Sequence, residues 1–255
     1  MDRSSARLFR WDDLPPEAVT ALLSRKVISG EHVMAAHIEL KKGCVVPLHS
    51  HEAEQLSFTF SGGLKFIING ETIVVGPGQL LLIPPWVKHE AVALEDTHEM
   101  DVFSPIRYDW LEGTDSYFRN AATQPVDLSN PATGANPARL VPWHEVPVEK
   151  ISPFVDRAFV SGENTTFCDF TLRKNAVVPT HHHLSEQVTW VRSGHLQLTV
   201  AGELFDVRAG SVLRIPSNVP HSAFAVDDSK VIDMFGPRRD DWINKADDYL
   251  RQGNR

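Results

Sequence analysis

Cysteine is scarce in this sequence, and long apolar segments are missing. Cys44 and Cys168 are the only cysteines among 255 residues, and we expect both to be unpaired, small buried apolar side chains in a reducing compartment. No apolar run approaches the roughly 20 residues that a membrane-spanning helix needs. The first ten residues carry charges throughout and contain no apolar core of a signal peptide. These absences predict a cytoplasmic protein with no membrane partner.

Positive charge is also in the minority. The chain has 25 Lys and Arg against 33 Asp and Glu, a net charge of −8, so we expect no nucleic-acid partner. Nothing in the sequence resembles a helix-turn-helix. The composition, 42% hydrophobic and 23% charged, is that of an ordinary globular protein, and the length suits one large or two ordinary domains.

The chain repeats itself at an offset of 132 residues. An ungapped alignment of residues 8–119 with 140–251 has 41 identities in 112 positions, which chance similarity does not produce. Residues 120–139 between the copies contain several turn formers and few large apolar side chains, a composition typical of a linker. We therefore predict an N-terminal domain over 8–119, a linker over 120–139 and a C-terminal domain over 140–251.

Within each copy the pattern is that of β-strands. Short apolar or alternating runs in the first copy are separated by glycine and proline turns, at 33–40, 64–69, 72–75 and 80–83. Asn69-Gly70 predicts a type I′ hairpin turn, and Ala201-Gly202 predicts a weaker equivalent. We expect helix only at the edges, around 16–23 and after Trp242. Many short strands at regular spacing favour a small sandwich or barrel in each copy.

Two histidine clusters recur at the same offset. Each reads His-x-His-x3-Gln and is followed 34 residues later by another histidine. Alternate residues of a strand face the same side, so the first two histidines project together. A turn must bring the glutamine back on the next strand, because ligands of one metal lie about 2 Å from it. The predicted ligands of a divalent transition metal are His49, His51, Gln55 and His89, and His181, His183, Gln187 and His221.

The spacing around these ligands resembles the cupin family. The family's two motifs, G-x5-H-x-H-x3,4-E-x6-G and G-x5-P-x-G-x2-H-x3-N, correspond to residues 43–62 and 78–93 and recur in the second copy. The departures from the motifs are Trp86 and Asn218 for a glycine, Ala93 and Ala225 for the closing asparagine, and Asn175 for the first glycine. The resemblance implies an all-β chain of two tandem double-stranded β-helix (jelly-roll) barrels with short peripheral helices, each holding one divalent transition metal (Fe, Mn, Ni, Co or Zn). Gln55 and Gln187 replace the family's glutamate. The ligand set is therefore neutral, which favours Lewis-acid polarisation of an anionic or carbonyl substrate.

A second set of polar residues follows each last histidine. The first copy reads Asp101-x-Phe103-x-Pro105-x-Arg107-x-Asp109-Trp110, and the second repeats this pattern from Asp233 to Trp242. An aspartate and an arginine beside a metal could supply a general acid or base and an anchor for a substrate carboxylate. For the arginines, an Asp–Arg ion pair that braces the end of the strand is the alternative.

This run looks like that of a narrower group, the small cupins of pectin and alginate breakdown that open the ring of 4,5-unsaturated uronates. In that group an Asp, a Phe and an Arg line the substrate site, which implies catalytic roles for Asp101, Arg107, Asp233 and Arg239 and pocket positions for Phe103 and Phe235. The duplicated ligand layout also resembles the bicupin isomerase of bacilysin biosynthesis. Trp86 and Asn218 are further pocket candidates, and because they differ at equivalent positions, one site could be specialised or structural.

Three functions remain open from the sequence. The first is a metal-dependent enzyme that isomerises or ring-opens a small oxo or sugar acid, with an unsaturated uronate favoured. The second is a cupin dioxygenase that uses Fe(II) or Cu(II), and the third is a bicupin that binds a small ligand without catalysis. The expected partner in each case is a small-molecule carboxylate. We expect the barrels to pair within the chain, with a homodimer as a further possibility.

Overall fold

The computed structural model describes residues 5–119 and 138–252. The predicted linker lies outside the described residues except for its last positions, 138 and 139. Strands dominate the described chain, and its helices are short and peripheral, which confirms the predicted all-β class. None of these helices has the length and apolar character that crossing a bilayer requires.

The elements are numbered in chain order. In residues 5–119 the structure forms β1 (Arg7–Arg10), β2 (Glu17–Ala18), β3 (Leu23–Ser29), β4 (Met34–Leu40), β5 (Val45–His49), β6 (Glu54–Ser61), β7 (Leu64–Ile68), β8 (Glu71–Val75), β9 (Gln79–Ile83), β10 (His89–Ala93), β11 (Thr97–Ser104), α1 (Tyr108–Glu112) and α2 (Ser116–Arg119). In residues 138–252 it forms β12 (Arg139–Pro142), β13 (Glu149–Ser152), β14 (Val155–Ser161), β15 (Thr166–Leu172), β16 (Val177–His181), β17 (Glu186–Ser193), β18 (His195–Val200), β19 (Glu203–Arg208), β20 (Ser211–Ile215), β21 (His221–Ala225), β22 (Ser229–Gly236), α3 (Asp240–Ile243) and α4 (Tyr249–Gln252). A 3₁₀ turn follows β1 at Trp11–Asp13, and another follows β12 at Trp143–Glu145.

The first compact unit, called the N-terminal barrel, consists of the described residues 15–29, 34–119 and 138–145. Its larger sheet has the strand order β12-β9-β6-β11-β4-β3-β2, and its smaller sheet has the order β5-β10-β7-β8. Apolar side chains of both sheets, among them Ile38, Phe66, Ile83 and Phe103, form one buried core. Because side chains alternate along a strand, this packing turns one face of each sheet inward.

The second compact unit, called the C-terminal barrel, consists of residues 146–252 together with 5–14 and 30–33. Its sheets have the orders β1-β20-β17-β22-β15-β14-β13 and β16-β21-β18-β19. These orders match those of the N-terminal barrel strand for strand at the repeat offset. The core again draws on both sheets and includes Phe170, Leu198, Leu213 and Phe235.

The first strand of each repeat copy pairs with a strand in the barrel that is formed mainly by the other copy. β1 pairs antiparallel with β20, from Arg7 opposite Arg214 to Arg10 opposite Ser211. β12, its equivalent in the repeat, pairs with β9 in the N-terminal barrel. The compact units therefore differ from the sequence repeat at residues 8–14 and 140–145, because an exposed sheet edge is satisfied by either of two similar strands.

Residues 30–33 are fixed to the C-terminal barrel by a buried glutamate. Glu186 Oε2 accepts hydrogen bonds from the backbone N–H groups of Glu31, His32 and Val33 at 2.8, 2.7 and 3.1 Å. Its other oxygen accepts a hydrogen bond from Arg214 Nη1 at 3.1 Å. Four hydrogen-bond donors therefore converge on this one buried side chain.

Both predicted hairpin turns are present, and one predicted helix is wrong. Asn69 and Gly70 have φ of 52° and 77°, and Ala201 and Gly202 have φ of 50° and 85°, as a type I′ turn requires. Residues 16–23 are not helical, since Glu17–Ala18 pairs with β3 as a short strand. Glu17 is held there by Arg25, whose Nε lies 2.8 Å from Glu17 Oε2. The helix expected after Trp242 exists as α4.

Two glycines of the N-terminal barrel give a matched test of crowding. Gly62 and Gly43 share a φ of +82°, but a Cβ at Gly62 would lie 2.3 Å from Asp96 O, whereas one at Gly43 would meet nothing within 4 Å. We expect Gly43→Ala to cost about 1 kcal/mol, the strain of the left-handed backbone alone. Gly62→Ala should cost at least about 2 kcal/mol more, because backbone must move. Urea unfolding of both variants measures the difference, and equal midpoints would contradict the steric argument.

Candidate metal centres

The predicted ligands of the N-terminal barrel come together inside it. His49 ends β5, and His89 begins β10 directly opposite it in the sheet register. His51 lies in the turn between β5 and β6. Gln55 stands on β6, with its Oε1 3.2 Å from His51 Nε2. Ligand nitrogens of the three histidines lie within 4.8 Å of one another. The chain therefore turns between His51 and Gln55 as the spacing predicts.

Each histidine ring is oriented by a backbone carbonyl two residues away. The Nδ1 atoms of His49, His51 and His89 lie 2.8, 2.7 and 2.8 Å from the carbonyl oxygens of residues 47, 53 and 87. A carbonyl can only accept a hydrogen bond, so Nδ1 carries the proton and Nε2 carries the lone pair. This outer hydrogen bond is the usual support of a metal-binding imidazole.

Burial keeps these rings neutral. Desolvation lowers the pKa of His51 to about 2 and the pKa of His89 to about 4, and it holds the pKa of His49 well below its ordinary value. His89 Nε2 is buried and finds no hydrogen-bond partner among the described residues. Neutral imidazoles with convergent, unsatisfied Nε2 atoms fit a divalent transition metal.

The C-terminal barrel repeats this arrangement. Ligand nitrogens of His181, His183 and His221 lie within 4.8 Å of one another, and Gln187 Oε1 is 3.2 Å from His183 Nε2. The three Nδ1 atoms again lie 2.7 to 2.8 Å from carbonyl oxygens two residues away. Burial lowers the pKa of His181 to about 3, that of His183 to about 2 and that of His221 to about 4. This second set fits a metal as well as the first.

A buried aspartate lies beside each glutamine ligand. Asp101 Oδ2 accepts a hydrogen bond from Gln55 Nε2 at 3.0 Å, and Oδ1 is hydrogen-bonded to Ser57. Because Gln55 donates to Asp101 through its nitrogen, its oxygen faces the histidines and could bind a metal there, as the sequence predicts. Burial raises the pKa of Asp101 to about 6 and that of Asp233 to about 6 in the C-terminal barrel. A carboxyl that titrates near neutrality suits proton transfer.

The two arginines are held in ion pairs. Arg107 donates from Nε and Nη2 to Asp109 at 2.8 and 2.6 Å, and Arg239 makes the same bidentate pair with Asp241 at 2.9 and 2.7 Å. This is the bracing ion pair that the sequence left as the alternative. Both arginines also line the cavities beside the histidines, so a role as carboxylate anchors stays a prediction.

The predicted pocket residues do not all lie beside the histidines. Phe103 is fully buried and meets the His51 ring edge-on, with 5.7 Å between centroids, and Phe235 does the same with His183 at 5.6 Å. Trp86 lies in a turn with φ of 63°, with its side chain 65% exposed. Trp86 and Asn218 do not appear among the described residues that line the cavities.

A tyrosine covers each site, which the motifs did not predict. Tyr117 in α2 stacks on His49 with 4.4 Å between ring centroids and 15° between planes. Its Oη accepts a hydrogen bond from Arg107 Nη2 at 2.5 Å. Tyr249 in α4 stacks on His181 at 4.2 Å and accepts from Arg239 Nη2 at 2.6 Å. The signal was available, because both tyrosines are identical at the repeat offset.

Buried ion pairs fasten the covering segments. Arg25 Nη1 lies 2.8 Å from Asp115 Oδ2 and Arg157 Nη1 lies 2.7 Å from Asp247 Oδ2, with all four side chains at most 2% exposed. The Arg25 guanidinium also lies over the Trp110 ring at 4.2 Å. The cavities left beneath the covers are small, about 30 Å³ in the N-terminal barrel and about 50 Å³ in the C-terminal barrel. These volumes have room for only a few water-sized groups.

Comparison with known proteins identifies the family. The sequence profile described as Cupin domain matches residues 36–104 and 168–235, more than half of the chain. The chain belongs to the cupin family. Its two matches coincide with the two barrels, so it is a bicupin, as the duplicated motifs predict.

Curated and solved relatives agree with this assignment. The cupin is 28% identical over 108 residues to the pectin degradation protein KdgF of Dickeya dadantii, a match that covers 41% of this chain and 98% of KdgF. An S161A mutant of Bacillus subtilis oxalate decarboxylase OxdC superposes with a TM-score of 0.67 at 17% identity, over 91% of this chain and 77% of that one. AerE of Microcystis aeruginosa gives 0.64 at 13% identity, over 88% and 96%. At these identities the solved structures show the fold alone.

Metal content tests both centres. Protein purified without an affinity tag should carry about two equivalents of divalent metal per chain, and His51→Ala and His183→Ala should each lose about one, because three well-placed ligands remain but the set is incomplete. Elemental analysis measures this. His182→Ala changes an exposed neighbour of two ligands and should retain both equivalents. A single equivalent that survives both ligand substitutions would contradict the assignment.

Acid should destabilise the metal-free protein. A ligand histidine stays neutral in the fold, whereas in the unfolded chain it takes up a proton near pH 6.5, so its stabilising effect is present above about pH 6.5 and is lost as pH falls. Each such histidine costs about 1.4 kcal/mol per pH unit below that value, and the raised pKa values of Asp101 and Asp233 oppose this in part.

Thermal unfolding after chelation provides the measurement. The melting temperature should be several degrees lower at about pH 5.5 than at about pH 7.5. His51→Gln with His183→Gln removes two of the six proton acceptors, so the double variant should show a shallower fall. A melting temperature that rises on acidification would refute the assignment of neutral, buried imidazoles.

Proposed function

We propose that this bicupin is a metal-dependent enzyme that isomerises or ring-opens a small oxo or sugar acid. One observation carries the proposal: in each barrel a buried carboxyl with a pKa near 6 is hydrogen-bonded or adjacent to the glutamine of a His-His-Gln-His set. A proton carrier at this position can act on a substrate that the metal holds. The partial match to a pectin degradation protein favours an unsaturated uronate as the substrate.

The residues present would hold a divalent metal through the three histidine Nε2 atoms and the glutamine oxygen. When bound, the metal would supply Lewis-acid polarisation of substrate oxygens. Manganese is among the candidates, because oxalate decarboxylase of Bacillus subtilis has Mn(II) centres. The neutral ligand set leaves the metal's positive charge available to an anionic substrate.

Ring opening of a 4,5-unsaturated uronate needs one proton to move. Asp101 would accept the proton of the hydroxyl on carbon 1 as the carbonyl forms there and the bond from carbon 1 to the ring oxygen breaks. The electron pair released makes an enolate across carbons 4 and 5, and Asp101 would return the proton to carbon 4 to leave a ketone at carbon 5. The reaction is an isomerisation that requires no oxidant and no second substrate. Asp233 would act in the same way in the C-terminal barrel.

Two residues around the aspartate would position the substrate. Phe103 closes the wall beside His51 and keeps the reacting atoms away from water. Arg107 would bind the substrate carboxylate with the nitrogen that now donates to Tyr117. Because the cavity is much smaller than a sugar acid, binding requires α2 to move away from His49.

Turnover of a 4,5-unsaturated uronate tests the proposal. The metal-loaded chain should consume it, with loss of the ultraviolet absorbance of the conjugated double bond, and the rate should not change when oxygen is removed. Asp101→Asn with Asp233→Asn should lower kcat by about 10² or more, because the amide cannot carry the proton. The single variants identify the working barrel.

The matched control is Asp227→Asn, at an exposed aspartate outside both sites, which should leave kcat unchanged. Full metal content in the double variant confirms that the ligand sets are intact. Absence of uronate consumption by the metal-loaded chain would reject the substrate, and oxygen-dependent turnover would replace the isomerase with a dioxygenase.

A further inference from the structure

Three inward-facing cross-strand pairs run along β6 and β11 from the metal site into the N-terminal barrel. They are Gln55 with Phe103, Ser57 with Asp101 and Thr59 with Glu99. In the C-terminal barrel the equivalent pairs on β17 and β22 are Gln187 with Phe235, Thr189 with Asp233 and Val191 with Val231. The first two pairs keep the same chemistry in both barrels. The third changes from a carboxyl and a hydroxyl to two valines.

Glu99 has one carboxyl oxygen without a hydrogen-bond partner among the described residues of the N-terminal barrel. Its residue is 5% exposed, and Oε2 has no hydrogen-bond partner among the described residues. Thr59, directly across the pair, is fully buried, and its Oγ1 is likewise unpartnered in that part of the chain. Burial of such groups without hydrogen bonds is costly. Glu99 lines the cavity that also contains His49 and Asp101.

The carboxyl of Glu99 is suited to binding an uncharged polar group. Burial, and then the neighbouring Asp101, raise its pKa well above the ordinary value, which favours the carboxylic acid, a group that both donates and accepts hydrogen bonds. The cavity of about 30 Å³ beside it has room for about two water-sized groups. That volume suits a hydroxyl group and the carbon that bears it.

The same region of the C-terminal barrel is apolar. Val191 and Val231 are at most 2% exposed, and Val231 pairs on its other side with Phe170. Val231 and Phe170 line a cavity of about 50 Å³ that also contains His181 and Asp233. A ligand hydroxyl placed there would lose its hydrogen bonds to water and gain none.

We propose that Glu99, with Thr59 across the pair, forms a hydroxyl-binding subsite, so that the N-terminal barrel takes a polyhydroxylated acid and the C-terminal barrel takes an acid with an apolar end. The inference rests on the proposed function only in taking the ligands to be small acids bound at the metal centres. It assigns different ligands to two sites whose metal-binding residues are the same.

Two saturated probes separate these preferences without turnover. D-Galacturonate and tetrahydropyran-2-carboxylate share a six-membered ring and a carboxylate, but only the first carries hydroxyls. Isothermal titration of the metal-loaded full chain gives the affinity for each. Glu99→Val, which installs the residue of the C-terminal barrel, should weaken galacturonate binding about tenfold or more and leave the other probe unchanged or tighter. Glu99→Gln, which keeps a donor and an acceptor, should stay within about threefold of the wild type.

Glu90→Val is the matched control. Glu90 is also a buried glutamate of the N-terminal barrel with an unpartnered Oε2 among the described residues, but it does not line the cavity. Its replacement should leave the ratio of the two affinities unchanged. If Glu99→Val fails to fold, Thr59→Val is the second variant, because valine has the shape of threonine without the hydroxyl. It should still lower the ratio of the affinity for galacturonate to the affinity for tetrahydropyran-2-carboxylate about threefold.

The outcomes distinguish this inference from the proposed function. An unchanged ratio in Glu99→Val or an equal fall in Glu90→Val would overturn the subsite. Failure to consume an unsaturated uronate would reject the proposed reaction and leave these binding constants untouched. A lowered ratio together with retained metal content would establish the subsite whatever reaction the site performs.

Discussion

The hydrogen bond from each histidine Nδ1 to a carbonyl two residues away is the contact on which both sites depend. It fixes the tautomer, points Nε2 inward and lets three rings stand close together without charge. The cost is that six imidazoles are buried with pKa values far below that of a free histidine, so acid favours the unfolded chain, in which these rings can take up a proton. A metal bound by the Nε2 lone pairs would offset this cost. The barrel therefore fixes the backbone positions of the histidines, and the short local hydrogen bonds fix the orientation of their rings.

Much of the fold could be predicted because the chain contains two copies of one domain that can be aligned with each other. The alignment distinguished positions that are identical in both copies from positions that differ, and the alternation of apolar residues predicted the strands. His49, His51, Gln55 and His89 were recognisable since metal ligands obey strict spacing. The helix predicted over 16–23 is wrong because Glu17 lies in a strand and is bound there by Arg25. Local helix propensity does not include such a tertiary contact.

The parts of the site that escaped prediction are those made by partners distant in sequence. Tyr117 reaches His49 only after the chain has passed through β11 and α1, and no short motif joins the two. For Arg107 the sequence left a carboxylate anchor and an ion pair with an aspartate both open, and it did not show that Tyr117 would also accept a hydrogen bond from it. Glu99 lies two residues from a recognised motif residue, yet its importance depends on Thr59, which the sheet register places opposite it.

The exchange of β1 and β12 has a consequence for synthesis. The N-terminal barrel needs β12 at its sheet edge, so its larger sheet is incomplete until the ribosome has passed the segment between the copies. The C-terminal barrel needs β1, which leaves the ribosome before the other strands of that barrel and must wait for β20 before it can pair. During that interval β1 remains available to a wrong edge, including that of a neighbouring nascent chain. Each barrel therefore depends on a strand that is synthesised as part of the other copy.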